Sequence, residues 1–292
     1  MSGSYLIKVL RRLNILISQL SQLPNDLYCQ ISILRGRRRG QSENEIPLNV
    51  LVVVHAYWPH QFTYIIKYLN RISMPLMVIV TIPKGENALQ VQDLLATISG
   101  QHNVRGMRVE NAGRDVGPFL QAIDTFENKD WDLVIKVHTK ASQNVWFETL
   151  VRSLLQSDHR IQNHARLLKR YPRGIIIHPL FRYPGQRQSL GEPAMERLRE
   201  VLISKNYPIP RKWYFAAGSM FAASSAMLID IKRESESIGL DQFENENEYS
   251  QASSAHMFER FLGLYAFSKG SGLFCTSIRD YLDFKALMVK MI

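Results

Sequence analysis

Four short apolar runs separated by helix-like patterns fill residues 48–137, and this alternation limits the possible folds more than any other feature of the chain. Leu48–His55 (LNVLVVVH), Leu76–Ile82 (LMVIVTI), Val104–Val109 and Leu133–Val137 are continuous or nearly so and rich in β-branched residues, as strands buried on both faces are. Between them Phe62–Ile72, Ala88–Ser99 and Phe119–Phe126 carry helical spacing, with Pro83 and Gly100 as stops. The order βαβαβαβ predicts an α/β fold with a mostly parallel sheet and helices on both faces. Further along, the spacing predicts helices near 146–157 and 159–170, a strand at Gly174–His178 and a loop at Arg182–Gln188. It then predicts a helix at Met195–Ser204, one strand over Trp213–Ala223, a helix from Ser224, an acidic loop at Glu244–Ser250 and a last helix from Ser253 to Leu264. Gly218, in the middle of WYFAAGSMFAA, signals a bulge or a close backbone approach.

Charge divides the chain unevenly. Residues 1–40 hold seven Lys and Arg against Asp26 alone, so +6 of the net +10 lies in this arm and only +4 in the other 252 residues. A phosphate-rich partner, either anionic lipid or nucleic acid, is implied for the arm, but the +4 balance of the body speaks against a nucleic-acid-binding protein. Leu6, Val9, Leu10, Leu13, Leu16, Ile17, Leu20 and Leu23 recur at three- and four-residue steps, with Lys8, Arg11 and Arg12 in the first turns. Residues 5–23 therefore read as a basic amphipathic helix, either packed on the body or lying on an anionic membrane surface. The RGRRRG run at 35–40 reads as a solvated linker. The expected organisation is an arm over 1–45, a main domain over 46–275 and a tail over 276–292. No run reaches the ~18 apolar residues of a membrane span. Two cysteines, Cys29 and Cys275, cannot build a disulfide framework, which favours a cytoplasmic setting, with the arm allowing a peripheral place on the inner face of the membrane.

Ligands of parallel α/β sheets sit beyond the carboxyl ends of the strands, and three polar segments fall there. The first is His55–His60. The second is ENAGRDVGPFL, residues 110–120, where Gly113 permits a tight turn and Asp115 is placed to cap a helix that starts Val116-Gly117-Pro118. The free N–H groups of that helix start and the Arg114 fork suit phosphate, while Asp115 reads as the cap or as a ribose ligand. The third is IKVHTK, where Lys136 and His138 share a face and His138 and Lys140 are donors for phosphate oxygens. In the last helix, His256, Glu259 and Arg260 lie on one face, as a general base with its neighbours or as an ion-paired surface. None of the eight histidines has HExxH or Cys-paired spacing, so no metal site is read from the residues.

NAGRDVGPFL, WDLVIKVHTKAS, FAAGSMFAASSAML and SAHMFERFLG occur in that order over residues 48–270, with VVVHAYWP at the start. Together they resemble the rhamnan synthesis protein F family of bacterial polysaccharide assembly. The resemblance implies a Rossmann-like, A-type glycosyltransferase fold and transfer of sugar from a nucleotide-sugar donor to a cell-surface polysaccharide or lipid-linked glycan. The alternative is a non-catalytic nucleotide-sugar or glycan-binding module. On this resemblance His55, Tyr57 and Trp58 approach the nucleotide, and Asn111, Gly113, Arg114 and Asp115 hold the ribose, diphosphate or sugar. His138, Thr139 and Lys140 stand where many such transferases keep a metal-binding Asp-x-Asp, Gly218, Ser219 and Met220 line the cleft for donor sugar and acceptor, and His256, Glu259 and Arg260 close it. Mg²⁺ or Mn²⁺ is left open as a cofactor without being obligatory. The family pattern carries an Asp-Gly-Thr run shortly before the Ala-His of the last helix, where this chain reads Gln251-Ala252-Ser253. Glu259 or Glu248 is then the expected base.

Overall fold

The computed structural model describes residues 3–38, 48–125, 131–140, 145–185, 193–243 and 253–282. The elements run α1 (Gly3–Leu20), α2 (Leu23–Arg38), β1 (Val50–His55), α3 (Pro59–Leu69), β2 (Met77–Pro83), α4 (Ala88–Leu94), β3 (Asn103–Val109), α5 (Val116–Asp124), β4 (Leu133–His138), α6 (Val145–Leu155) and α7 (Asp158–Arg170). They continue β5 (Ile175–Ile177), β6 (Arg182–Pro184), α8 (Pro193–Ser204), β7 (Tyr214–Ala216), β8 (Phe221–Ala223), α9 (Ser225–Ser237), α10 (Ser254–Ser268) and β9 (Leu273–Cys275). No helix among the described residues is long and apolar enough to cross a membrane.

Seven strands form one sheet in the order β3-β2-β1-β4-β8-β5-β9. The four strands legible as apolar runs are parallel neighbours; β8 runs antiparallel between β4 and β5, and β9 pairs parallel to β5. Side chains alternate along each strand, so β1 sends Val50, Val52 and Val54 into one core and Leu51 and Val53 into the other. The first core is closed by α3, α6 and α7 through Phe62, Phe147 and Ile161, the second by α5, α8, α9 and α10 through Phe119, Leu198, Leu228 and Phe261. This is the expected α/β architecture.

Three local expectations change. The run Trp213–Ala223 is two strands in two sheets: β7 pairs with β6 in a separate ribbon, and β8 enters the main sheet. The cause is the turn between them, where Gly218 (φ +89°) and Ser219 (φ +47°) are both left-handed and the Ser219 N–H returns to the Ala216 carbonyl. Arg182–Pro184, expected as loop, is the β7 partner. The basic run does not begin a linker at residue 35, since α2 continues to Arg38; arginine is a good helix former, and one glycine near the end is tolerated.

The arm lies on the body. Gln19, at the inner side of α1, is fully buried, and its amide donates to the carbonyls of Leu180 (2.6 Å) and Arg182 (3.1 Å). Asp26 of α2 is buried in an ion pair with Arg182; Tyr281 donates to the Asp26 carboxylate at 2.6 Å and accepts from Arg182 at 2.7 Å.

Candidate active site

The carboxyl ends of β1 and β4 lie side by side, with His55 in register with His138. Lys136 and His138 point to the α5 face of β4, one strand repeat beyond Val134. Lys136 is 1% exposed. Its ammonium reaches the Asp115 carboxylate at 2.5 Å and the Ser219 carbonyl at 2.8 Å, between the rings of Phe119 and Phe221. The Ser219 hydroxyl donates to the same Asp115 oxygen at 2.5 Å, and His138 Nδ1 stands 3.4 Å from it. The left-handed turn before β8 and the entry to α5 thus meet over the end of β4.

Asp115 occupies the N-cap position of α5, but its side chain makes no capping bond. Burial alone would raise its pKa; the His138 ring, the Lys136 ammonium and the two hydrogen bonds outweigh that and hold the carboxyl well below the ordinary range. The helix start is not an open anion site. The N–H groups of Val116 and Gly117 both donate to the Gly113 carbonyl at 3.0 Å, and Pro118 has none. Gly113 (φ +70°) is required by the turn and by Phe243, which sits where a Cβ would be, so its close approach is to the core. His138, expected as a cationic donor, is held neutral: burial, the main cause, places its pKa well below the ordinary imidazole value. The positive charge at this edge comes from Lys136 and Lys140.

A cavity of about 320 Å³ opens above this floor. It brings together nine residues singled out in the sequence, Arg114, Asp115, His138, Lys140, Gly218, Ser219, His256, Glu259 and Arg260, with Trp146, Tyr183 and Phe215. Glu259 is the second carboxylate lining it. One oxygen accepts the Gly218 N–H at 2.9 Å and the other lies 3.8 Å from Arg260; burial, the largest influence, raises its pKa above the ordinary value. Arg260 lies over the Phe215 ring at 4.9 Å and donates to the His256 carbonyl at 2.8 Å. Arg114, in a left-handed backbone (φ +54°), donates to His256 Nε2 at 3.0 Å, which leaves Nδ1 to donate to the Ser253 hydroxyl at 3.0 Å. Lys140 extends over Trp146 at 5.0 Å.

Other expected residues lie elsewhere. His55 is buried on Thr81 (3.0 Å), its pKa lowered to about 4 by burial. Thr139 is a positioning residue: its hydroxyl accepts the N–H groups of Tyr57 (2.9 Å) and Trp58 (3.1 Å) and so holds the loop after β1. Tyr57 and Trp58 line a second cavity of about 280 Å³ with Lys84, Glu86 and Asn87, beyond β1 and β2. Asn111 and Gly113 are not among the residues lining either cavity, and Met220 is core. Glu248 lies outside the described residues. Sequence reasoning passed over Lys136 as a site residue, although a lysine inside a buried strand was the signal. Tyr183 and Phe215 were hidden by the misread β6–β7 ribbon.

The donor set does not suit a divalent cation. Asp115 already takes an ammonium and a hydroxyl on one oxygen, and a second cation there would face Lys136 directly. Among the described residues no group of three or more His, Cys, Asp or Glu side chains is placed to hold a metal ion.

Fold and cleft define a Rossmann-like α/β protein with a cationic, small-molecule-sized site at the carboxyl edge of its parallel strands. The chain belongs to the rhamnan synthesis protein F family, whose sequence model matches residues 14–271. Membership implies a part in polysaccharide biosynthesis. Two relatives, each described as "Uncharacterized protein WxcX" and found in two strains of Xanthomonas campestris pv. campestris, are 26% identical over 219 residues. The match covers 73% of this chain and 30% of each relative, so the chain spans less than a third of their length.

Proposed function

We propose that the chain is a glycosyltransferase that moves a sugar from a nucleotide-sugar donor to a growing polysaccharide or lipid-linked glycan. The observation that carries this reading is the placement of one raised-pKa carboxylate, Glu259, in a cavity with three cationic side chains, Arg114, Lys140 and Arg260. Glu259 takes the proton of the acceptor hydroxyl, and a carboxyl shifted upward suits that task better than the depressed, doubly engaged Asp115. The acceptor oxygen bonds to the anomeric carbon as the bond to the diphosphate breaks, and the electron pair leaves on phosphate oxygen. Arg114, Lys140 and Arg260 offset the charge that develops there, with no divalent ion required. The Lys136–Asp115 pair holds the floor on which this happens.

The test is transfer from a panel of nucleotide sugars by wild type and Glu259→Gln, with thermal shift as the binding readout. Donor at 100 times its dissociation constant should stabilise the protein by about 2.7 kcal/mol. Glu259→Gln should lower turnover by about 10²–10⁴-fold with little change in donor affinity. Full turnover in the variant overturns the role of Glu259, and no binding of any donor overturns the reading. Activity that vanishes on chelation and returns with Mg²⁺ or Mn²⁺ overturns the metal-free part. A second reading, a non-catalytic nucleotide-sugar or glycan-binding module, is favoured by Gln251 where the family pattern carries Asp. Wild type that binds donor and transfers nothing supports it.

A further inference from the structure

We propose that α1 and the adjoining edge of the β6–β7 ribbon form a docking face for an anionic phospholipid bilayer. The helix sits on the body through Leu16, which packs against the first core, and through polar groups: besides the buried Gln19, Ser18 and, just past the helix, Gln22 both donate to the Tyr214 hydroxyl, at 3.4 and 2.8 Å. Four other apolar side chains are turned out. Leu10, Leu13, Ile17 and Leu20 are 44–62% exposed and recur at steps of three, four and three, so they make one stripe along the helix. Water-soluble helices bury such a stripe, and here nothing described covers it.

Charge identifies the occupant. Beside Ile17 a cavity of about 430 Å³ is lined by Ser18, Ser21, Tyr214 and the exposed pair Arg211 and Lys212. Hydroxyls and two cations next to an apolar stripe match a bilayer surface, where phosphates lie directly above acyl chains. An apolar protein partner would have no use for them. The arm that carries the stripe also holds +6 of the net charge. The ribbon is one strand layer thick: Tyr214 faces the arm and its neighbour Phe215 lines the catalytic cavity. If the transferase reading holds, docking sets that cavity beside the surface on which a lipid-linked acceptor travels; the docking itself does not depend on that reading.

The test is flotation of the full chain with vesicles of phosphatidylcholine alone or mixed with phosphatidylglycerol, at low and high salt. Wild type should float with the anionic vesicles and be released by salt. Leu13→Ser with Ile17→Ser should abolish flotation. Arg211→Gln with Lys212→Gln should weaken binding about 30-fold, from roughly fivefold per lost cation at the surface. All four side chains are exposed, so an unchanged melting temperature shows that the variants fold. The proposal is overturned if wild type stays unbound or if the Ser pair floats as well as wild type. A concentration-dependent dimer that the Ser pair dissolves, without vesicle binding, would assign the stripe to a second copy of the chain instead. Undiminished binding by the Gln pair removes Arg211 and Lys212 from the docking face.

Discussion

An ammonium group inside a sheet must have a counter-charge and acceptors, and Lys136 finds both in Asp115 and Ser219. Each of the three comes from a different part of the chain, so the floor of the cavity exists only when α5, β4 and the turn before β8 are assembled. Removing one member of such a pair leaves a charge with no partner, at a cost of about 3–5 kcal/mol. Lys136→Met should therefore lose that much stability in urea unfolding, and Lys136→Met combined with Asp115→Leu should recover most of it. A loss in the double variant equal to the sum of the losses in Lys136→Met and Asp115→Leu would show that the pair is not coupled. The sequence made half of this arrangement legible. The period of two put Lys136 and His138 on one side of β4, as they are. Asp115 was placed correctly at the head of α5, but its use as a cap was a local reading. Its two closest partners are 21 residues away on β4 and 104 residues away in the turn before β8, which no local pattern encodes.

At the scale of elements, the parallel half of the sheet was readable because buried strands are continuous apolar runs that end in turn residues. In the other half only β5 was readable, as the strand expected at Gly174–His178. β5, β6, β7, β8 and β9 have three residues each, too few for a period to show, and their pairing is decided by the turn at Gly218 and by α10 lying against β7. That contact depends on Gly263. A Cβ at this position would lie 2.1 Å from the Tyr214 carbonyl oxygen, a backbone atom that cannot move without the strand. Gly263→Ala should push α10 away from the ribbon and cost about 1–3 kcal/mol, the usual range for overpacking. Glu259 and Arg260 ride on the same helix turn, so transfer activity should fall further than the loss of stability explains. A variant that melts and turns over like wild type would show that α10 can shift without disturbing the cavity.

At the scale of the whole molecule, three buried histidines make stability sensitive to acid. His55 is lowered to about 4 and His164 to about 3, both mainly by burial, and His138 lies well below its ordinary value. The unfolded chain takes up these protons near pH 6.5 and the folded chain does not until much lower. Stability should therefore fall as pH drops from about 6.5 toward 4, by up to about 1.4 kcal/mol per pH unit for each histidine. Asp115 adds a loss below the ordinary Asp value of about 3.9, because its folded pKa is depressed. Glu259 acts in the opposite sense, since its raised pKa makes protonation favour the folded state. Melting temperatures from pH 7 to pH 4.5 check the balance, and His164→Leu should flatten the slope; an unchanged slope removes His164 from the account. The pairing of Asp26 with Arg182 and Tyr281 bears on how the protein is made. A ribosome delivers Asp26 early, yet the hydroxyl that completes its site comes 255 residues later, after the strand that closes the sheet edge against β5. The arm must therefore wait through most of synthesis, with its acid unsheltered and its apolar stripe in reach of chaperones or of the bilayer, before the body exists to receive it.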